Sequence, residues 1–344
     1  MGKKIKVAAI QMDANPAPKE ARIARAEKLV AGAAGEGAQF VLLPELFNTG
    51  YGYNDENYAN AEALDGQTVT WLRETAAKYG IHLGGSLMLW EDGEIFNALL
   101  LFAPDGRSWR YDKNYPWGWE RAYFRGRKKS VVARTDLGDI GMLICWDVSH
   151  PKLWAQYAGK VDFMAVSACP PDVTNPTFQL PKGDSFTFDD LGFVGNAIKN
   201  TGRLLFGEMV NQQTGWLGVP TVQTVGTGHI RTAIPNAFLT FLSYVGAAPK
   251  LTKYLPQAAQ MEMECDFVQG CKVVAGDGTV QSELPQSDGD NYTLAEIGLL
   301  PSKGQPRGEQ PSSLLAWLSY FTSDFLLPLL MRPIYRRGVK KILR

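Results

Sequence analysis

Three side chains of this 344-residue chain carry the ingredients of nucleophilic acyl chemistry: the thiol of Cys145, the carboxylate of Glu45 and the amine of Lys113. Each stands where an apolar run ends. Gly138 to Asp147 reads as a turn and a buried strand that closes on Cys145. Phe40 to Leu43 runs into Pro44 and Glu45, and Arg110-Tyr111-Asp112 runs into Lys113. A nucleophile at a strand end meets a cleft while its backbone stays rigid. A thiol with an ordinary pKa of ~8.5 is mostly protonated at neutral pH and needs activation. Glu45 is the candidate base, which would later return the proton to a leaving amine. Lys113 would favour the thiolate and, with a backbone N–H near Trp146, face a tetrahedral oxyanion. The plainer readings are a buried strand cysteine, a capping carboxylate and an edge lysine.

The elements that must position these groups follow from periodicity. Lys6 to Met12, Gln39 to Pro44, Ile81 to Trp90, Ile95 to Ala103 and Arg107 to Tyr111 read as strands, with turns at Asp92-Gly93 and Asp105-Gly106. So do Ser130 to Thr135, Ile140 to Cys145, Val161 to Ser167, Arg203 to Asn211, Val268 to Ala275 and Asn291 to Ile297. Pro18 to Gly35 has helical spacing through Ile23, Ala26, Val30 and Ala34, and Val69 to Tyr79, Lys152 to Ala158 and Asp189 to Thr201 join it. Strands alternating with helices define an α/β protein.

Composition narrows the function. Lys and Arg number 35, Asp and Glu 35, and 45% of residues are hydrophobic. A core of useful size is within reach, and the balanced charge argues against a nucleic-acid partner, whose binder would usually show a basic face or a high pI. The four cysteines, 145, 169, 265 and 271, have neither zinc-ligand spacing nor the density of a disulfide scaffold, so free thiols in a reducing compartment are expected. The apolar run Val7 to Ile10 is too short for a signal-peptide core, and a cytoplasmic body is expected.

The segments Leu43-Pro44-Glu45-Leu46-Phe47 with Thr49-Gly50-Tyr51, then Tyr111-Asp112-Lys113, then Cys145-Trp146-Asp147 followed by Pro151 resemble the nitrilase superfamily, the carbon–nitrogen hydrolases. The resemblance rests on their order and separations (45 to 113 to 145) and covers about Lys4 to Gly298. It implies a four-layer α-β-β-α sandwich with internal pseudo-symmetry, and a Glu45, Lys113, Cys145 triad that needs no metal or organic cofactor. It also implies an assisting second glutamate, matched by Glu120, with ion pairing to Arg121 or Arg125 as its plainer role. Substrate-pocket candidates are Tyr51, Trp146, Asp147, His150 and Cys169. Trp146-Asp147-Val148-Ser149-His150-Pro151 resembles amidase-type members. Lys152 and Lys199 stand where glutamate is frequent, which leaves the subfamily open.

The resulting expectation is a small-molecule hydrolase that cleaves an amide or carbamoyl amine through a cysteine thioester, and works as a homodimer or higher homo-oligomer. A nitrilase acting through a thioimidate is the alternative with the same residues. A Cys–His enzyme using His82, His150 or His229 and a catalytically silent membrane-bound scaffold are the rivals from other classes.

Two apolar segments fall outside that pattern. Thr232 to Pro249 carries no charge and reads as a buried or dimer segment, or as an apolar rim to the pocket. Pro301 to Pro311 has linker composition, dividing the chain into a hydrolase domain (1–300), a linker (301–311) and a tail (312–344). In the tail, Leu314, Trp317, Leu318, Phe321, Phe325 and Leu326 recur at helical spacing, and Asp324 is the one charge from Ser312 to Met331. Arg332, Arg336, Arg337, Lys340, Lys341 and Arg344 follow. Pro328 and Pro333 are expected to kink or end the helix. The pattern suggests peripheral contact with an anionic membrane, with Trp317, Phe321, Phe325, Arg336 and Arg337 at the surface. Packing on a neighbouring subunit is the alternative.

Overall fold

The computed structural model describes residues 2–174 and 176–342. Arg344, the last cation of the tail, lies outside them. Among these described residues sixteen strands form the frame: β1 (Lys4–Asp13), β2 (Phe40–Leu42), β3 (His82–Glu91), β4 (Glu94–Phe102), β5 (Ser108–Asp112), β6 (Val132–Arg134), β7 (Asp139–Ile144), β8 (Phe163–Ser167), β9 (Thr177–Gln179), β10 (Ser185–Thr187), β11 (Thr221–Thr227), β12 (His229–Ala233), β13 (Glu262–Asp266), β14 (Cys271–Val274), β15 (Val280–Leu284) and β16 (Asn291–Gly298).

Two halves of the main sheet repeat one pairing scheme. Along β5-β4-β3-β2-β1-β16 the neighbours are antiparallel, antiparallel, parallel, parallel and antiparallel. Along β15-β14-β11-β8-β7-β6 the series is the same. The halves join only where the end of β1 pairs with the end of β11, Gln11 beside Val225. The pseudo-symmetry that the resemblance implied is therefore present in the hydrogen bonding.

Strand alternation builds the layers. Val7 and Ala9 of β1 point into the space between the two halves, where Phe40 meets Phe163 edge-on with ring centroids 5.2 Å apart. Ala8, Ile10 and Met12 point the other way, onto Ala26, Val30 and Ala33 of helix Lys19–Gly35 and Val69 and Leu72 of helix Gln67–Tyr79. The second half is covered likewise by helices Pro151–Ala155 and Val210–Leu217. Strands with both faces buried read as continuous apolar runs, which is why β1 shows no clean polar alternation. The result is the four-layer α-β-β-α sandwich. A small sheet, β10-β9-β13-β12, sits apart from it with helix Ala237–Ala247.

Three readings of the sequence are corrected. Residues 203–211, expected as a strand, are helical: a π-wound stretch, Leu204–Met209, runs into helix Val210–Leu217. Leu205, Met209, Val210, Gln213 and Leu217 are buried at helical spacing. The strand of this region is β11, whose Thr221, Gln223 and Thr224 are polar yet wholly buried. The helix expected from Asp189 to Thr201 is broken. A 3-10 turn, Phe188–Leu191, and a short helix, Phe193–Ile198, are separated by Gly192 at φ 57°, and Asn200 follows at φ 66°.

The third correction concerns the tail, which is seated on the body. Helix Leu327–Ile342 passes through Pro333 without ending. The π-wound segment Phe321–Leu326 precedes Pro328, and such winding relaxes the hydrogen-bond pattern that a proline lacking N–H cannot complete. Met331 is fully buried, Tyr335 accepts from Ile95 N at 3.0 Å and donates to Glu94, and Gly338 lies against the Tyr58 ring. A Cβ at position 338 would come 2.0 Å from that ring, so only glycine permits the approach. The linker is also tied down: Lys303 pairs with Asp139 at 2.9 Å, and Gln310 Nε2 donates to Pro151 O at 2.7 Å. The linker and tail read from composition therefore pack against the body.

Candidate active site

The carboxyl ends of β2, β5, β7 and β8 converge on one place, the usual location of ligands in parallel sheets. Glu45 follows β2, Lys113 follows β5 directly, and Cys145 follows β7 directly. Lys113 Nζ donates to Glu45 Oε1 and to Glu120 Oε2, each at 2.7 Å. Side-chain exposure is 0% for Lys113, 0% for Glu45 and 1% for Glu120, so this is a dry ion cluster rather than a surface bridge. The Cys145 thiol lies within electrostatic reach of the Glu45 carboxylate.

Glu45 is held on every side. Besides Lys113, it accepts from Asn97 Nδ2 at 2.7 Å and from Cys169 N at 3.0 Å. Asn97 is oriented in turn: Leu46 N donates to Ser86 Oγ at 3.0 Å, and Ser86 Oγ donates to Asn97 Oδ1 at 2.9 Å. That chain fixes which end of the amide faces Glu45. Glu120 is fixed by Tyr51 OH at 2.8 Å and Trp117 N at 2.8 Å.

The backbone at Cys145 is strained. Cys145 has φ 48°, a region that side-chain-bearing residues avoid and that costs of order 1–3 kcal/mol unless neighbours impose it. Asp147 supplies the constraint. Its buried carboxylate accepts from Tyr111 OH at 2.7 Å, Tyr115 N at 2.8 Å, Asn114 N at 3.2 Å and Ile144 N at 3.3 Å. The turn carrying Cys145 is thereby bolted to the strand end carrying Lys113.

Burial decides the protonation states. It pushes Glu45 up to about 7, against the pull of the Lys113 ammonium, with Glu120 adding to the rise. Burial also raises the Cys145 thiol well above its usual range. Glu45 adds to that, and Lys113 opposes it without prevailing. Burial alone would lower Lys113, but Cys145, Glu120 and Glu45 together hold it well above 10.5. The resting site is thus a thiol beside a carboxylate poised to ionise near neutrality, with a permanent ammonium. The expectation that Lys113 stabilises a resting thiolate has the right sign, but desolvation outweighs it.

The five pocket candidates separate. Tyr51 and Trp146 line a small chamber with Cys145, Trp117, Pro170 and Val173. Asp147 is fully buried in the anchoring network and lines no cavity found at the site. His150 stacks on Tyr115 with ring centroids 3.7 Å apart and bonds Asp324 of the tail at 3.0 Å. Cys169 contributes its backbone N–H rather than its thiol. All four cysteines are buried free thiols. As for the histidine rivals, His82 pairs with Asp136 and His229 with Glu264 and Asp266, each remote from the cluster.

Asn97, Trp117 and Trp119 escape sequence reasoning. A buried asparagine inside the apolar run Glu94 to Phe102 is the signal that could have found the first. The tail's part in the site is also new. Trp146 Nε1 donates to Asp324 Oδ1 at 2.9 Å, and Tyr320 OH donates to Ser149 O at 2.5 Å. Trp317, Phe325, Arg336 and Arg337 point outward, and Phe321 lies at a rim.

Comparison with known proteins agrees with this geometry. Residues 6–176, which hold Glu45, Lys113, Glu120 and Cys145, match the carbon-nitrogen hydrolase family model. The chain belongs to the carbon–nitrogen hydrolase family. It is 32% identical over 169 residues to an omega-amidase of Danio rerio, covering 46% of this chain and 60% of that protein. It is 29% identical over 153 residues to a nitrilase of Pyrococcus abyssi, covering 43% and 58%. The chain thus spans somewhat under two thirds of these relatives' length. The fold matches a CN-hydrolase superfamily protein from Xanthomonas campestris at a TM-score of 0.62, with 16% identity, 95% of this chain and 97% of that one. An amidase from Nesterenkonia sp. matches at 0.61, with 19% identity, 88% and 93%.

Proposed function

We propose that this protein is a thiol-dependent amide hydrolase. The observation that carries the reading is the dry Glu45–Lys113–Glu120 cluster against a strained, thiol-bearing strand end. As Cys145 Sγ attacks the amide carbonyl, Glu45 takes the thiol proton. Lys113, with the Trp146 N–H, stabilises the oxyanion. Collapse of the adduct breaks the C–N bond, and Glu45 returns the proton to the departing nitrogen. Water, deprotonated by Glu45 with Glu120 assisting, then opens the thioester and releases the acid. A nitrile would follow the same residues through a thioimidate, a reading favoured by the nitrilase relative. The deciding experiment screens amides, carbamoyl amines and nitriles on purified protein, together with iodoacetamide alkylation of Cys145. Turnover of none, with no substrate protection of the thiol, would support a silent scaffold.

Peripheral contact with an anionic membrane is part of the same proposal, for a cytoplasmic body. Trp317 is 73% exposed, Phe325 57% and Leu329 54%, beside exposed Phe238, Leu239 and Leu242 of helix Ala237–Ala247. Arg332, Arg336, Arg337, Lys340 and Lys341 stand exposed on the adjoining helix. Apolar insertion flanked by cations suits an anionic surface, at about 1 kcal/mol per basic residue. Among the described residues no helix is long and apolar enough to cross a membrane. Co-sedimentation with anionic liposomes, weakened by salt, is expected. A salt-insensitive homo-oligomer that ignores liposomes would assign the face to a second copy instead.

A further inference from the structure

A second chamber, of about 360 Å³, adjoins the small one at Cys145 and shares Trp117, Trp146, Val173 and Thr201 with it. Its size falls within the ~300–1,000 Å³ of small-molecule sites. One wall is the end of helix Ala237–Ala247. The facing wall is the tail, through Leu318, Ser319, Thr322, Ser323, Leu326 and Leu327. Trp117, Trp119, Trp146 and Val173 of the region matched by the family model line part of it, and the two apolar segments, which lie outside that region, supply these two walls.

We infer that this chamber is an acyl-chain subsite and that the tail sets the enzyme's substrate class: amides of uncharged, apolar acyl groups several carbons long. The inference rests on the amide-hydrolase reading of Cys145. Three observations carry it. Small residues create the space: Ser319 and Ser323, one helical turn apart on the tail and both buried, face the wall bearing Gly246 and Ala247. Among the described residues no lysine, arginine, aspartate or glutamate lines it. Its polar points are neutral, and Trp119 Nε1 and Ser319 Oγ are buried without a partner in the protein. An acyl carboxylate there would be an unpaired charge, which such surroundings reject.

The chain enters from the acyl side of the scissile bond. The departing nitrogen needs a proton from Glu45, and the incoming water needs Glu45 and Glu120. Those groups lie on the polar side of Cys145, and the chamber offers no acid or base for either step. The thioester keeps its acyl chain in the chamber while amine and water exchange on the carboxylate side.

Primary amides isolate this effect, because ammonia leaves from every one. For acetamide, butanamide, hexanamide and octanamide, kcat/KM of the full chain should rise by up to about fourfold per added methylene until the chamber is full. The monoamide of a dicarboxylic acid should be cleaved far more slowly than the apolar amide of equal length. Ser323→Phe, which fills the chamber, should lower the octanamide-to-acetamide ratio by ~10-fold or more. A flat length series in the wild type, or an unchanged ratio in Ser323→Phe, would overturn the subsite. Should no amide be cleaved, octanamide binding to the wild-type protein, followed by quenching of tryptophan fluorescence, separates the two claims. Quenching abolished by Ser323→Phe would keep the subsite while the hydrolase reading fell, and no quenching would remove both.

Discussion

The indole N–H of Trp146, the residue after Cys145, donates to Asp324 Oδ1 at 2.9 Å across 178 residues of chain. The other carboxylate oxygen meets His150 Nε2 at 3.0 Å. The one charge in the apolar stretch of the tail is therefore spent on fastening that stretch to the turn that carries Cys145. Asp324→Ala should leave Trp146 and His150 short of partners and lower stability by about 1–3 kcal/mol, read from denaturant midpoints. Octanamide hydrolysis should suffer more than acetamide hydrolysis. Equal losses on both would make Asp324 a stability residue alone.

Lys113→Ala should lower kcat by roughly 10²–10³-fold with little change in KM, since a donor aimed at developing charge acts mainly in the transition state. An effect confined to KM would assign Lys113 to substrate binding.

The pH profile follows Glu45. Its carboxyl must be ionised to accept the thiol proton, and burial holds it near 7. The kcat/KM of the free enzyme should therefore fall on the acid side with an apparent pKa of about 7, and iodoacetamide alkylation of Cys145 should follow the same curve. Asn97→Leu removes a hydrogen bond to the ionised form, so the acid limb should move to higher pH. An acid limb near the ordinary carboxylate range would contradict the assignment.

The same group sets a stability signature. The folded state holds Glu45's proton above 4.5, where the unfolded chain has released it, so this group's contribution to stability falls as pH rises from about 4.5 to 7. Glu45→Gln mimics the protonated form. Its Tm relative to wild type should be more favourable at about pH 8 than at about pH 5, measured by thermal unfolding, and the reverse order would refute the shift.

Much of the proposed catalytic cluster was legible because its residues punctuate apolar runs: Glu45 after Pro44, Lys113 after Tyr111-Asp112, Cys145 after Leu143-Ile144. Their partners were not. Asn97 hides mid-strand, and its role exists only through Ser86 on the adjacent β3. Asp147, next to Trp146 in sequence, looks like a pocket residue until its backbone donors on Asn114 and Tyr115 come into place. β11 was missed because its side chains are polar, Thr and Gln, and still wholly buried, Gln223 donating to Gly270 O at 2.6 Å. The tail's periodicity showed a helix. It could not show that the small and polar residues between the large apolar ones face inward to form a wall, since that depends on where the helix docks.

The central claim is a covalent acyl-enzyme on Cys145. The direct measurement is the mass of the peptide bearing Cys145 after acid quench during octanamide turnover. The account predicts an octanoyl group on that peptide, absent from Cys145→Ala, which should be folded and inactive. Cys145→Ser should be nearly dead, because Glu45 is too weak a base for an alcohol. Undiminished turnover by Cys145→Ala, or an acyl group found on another residue, would contradict the mechanism.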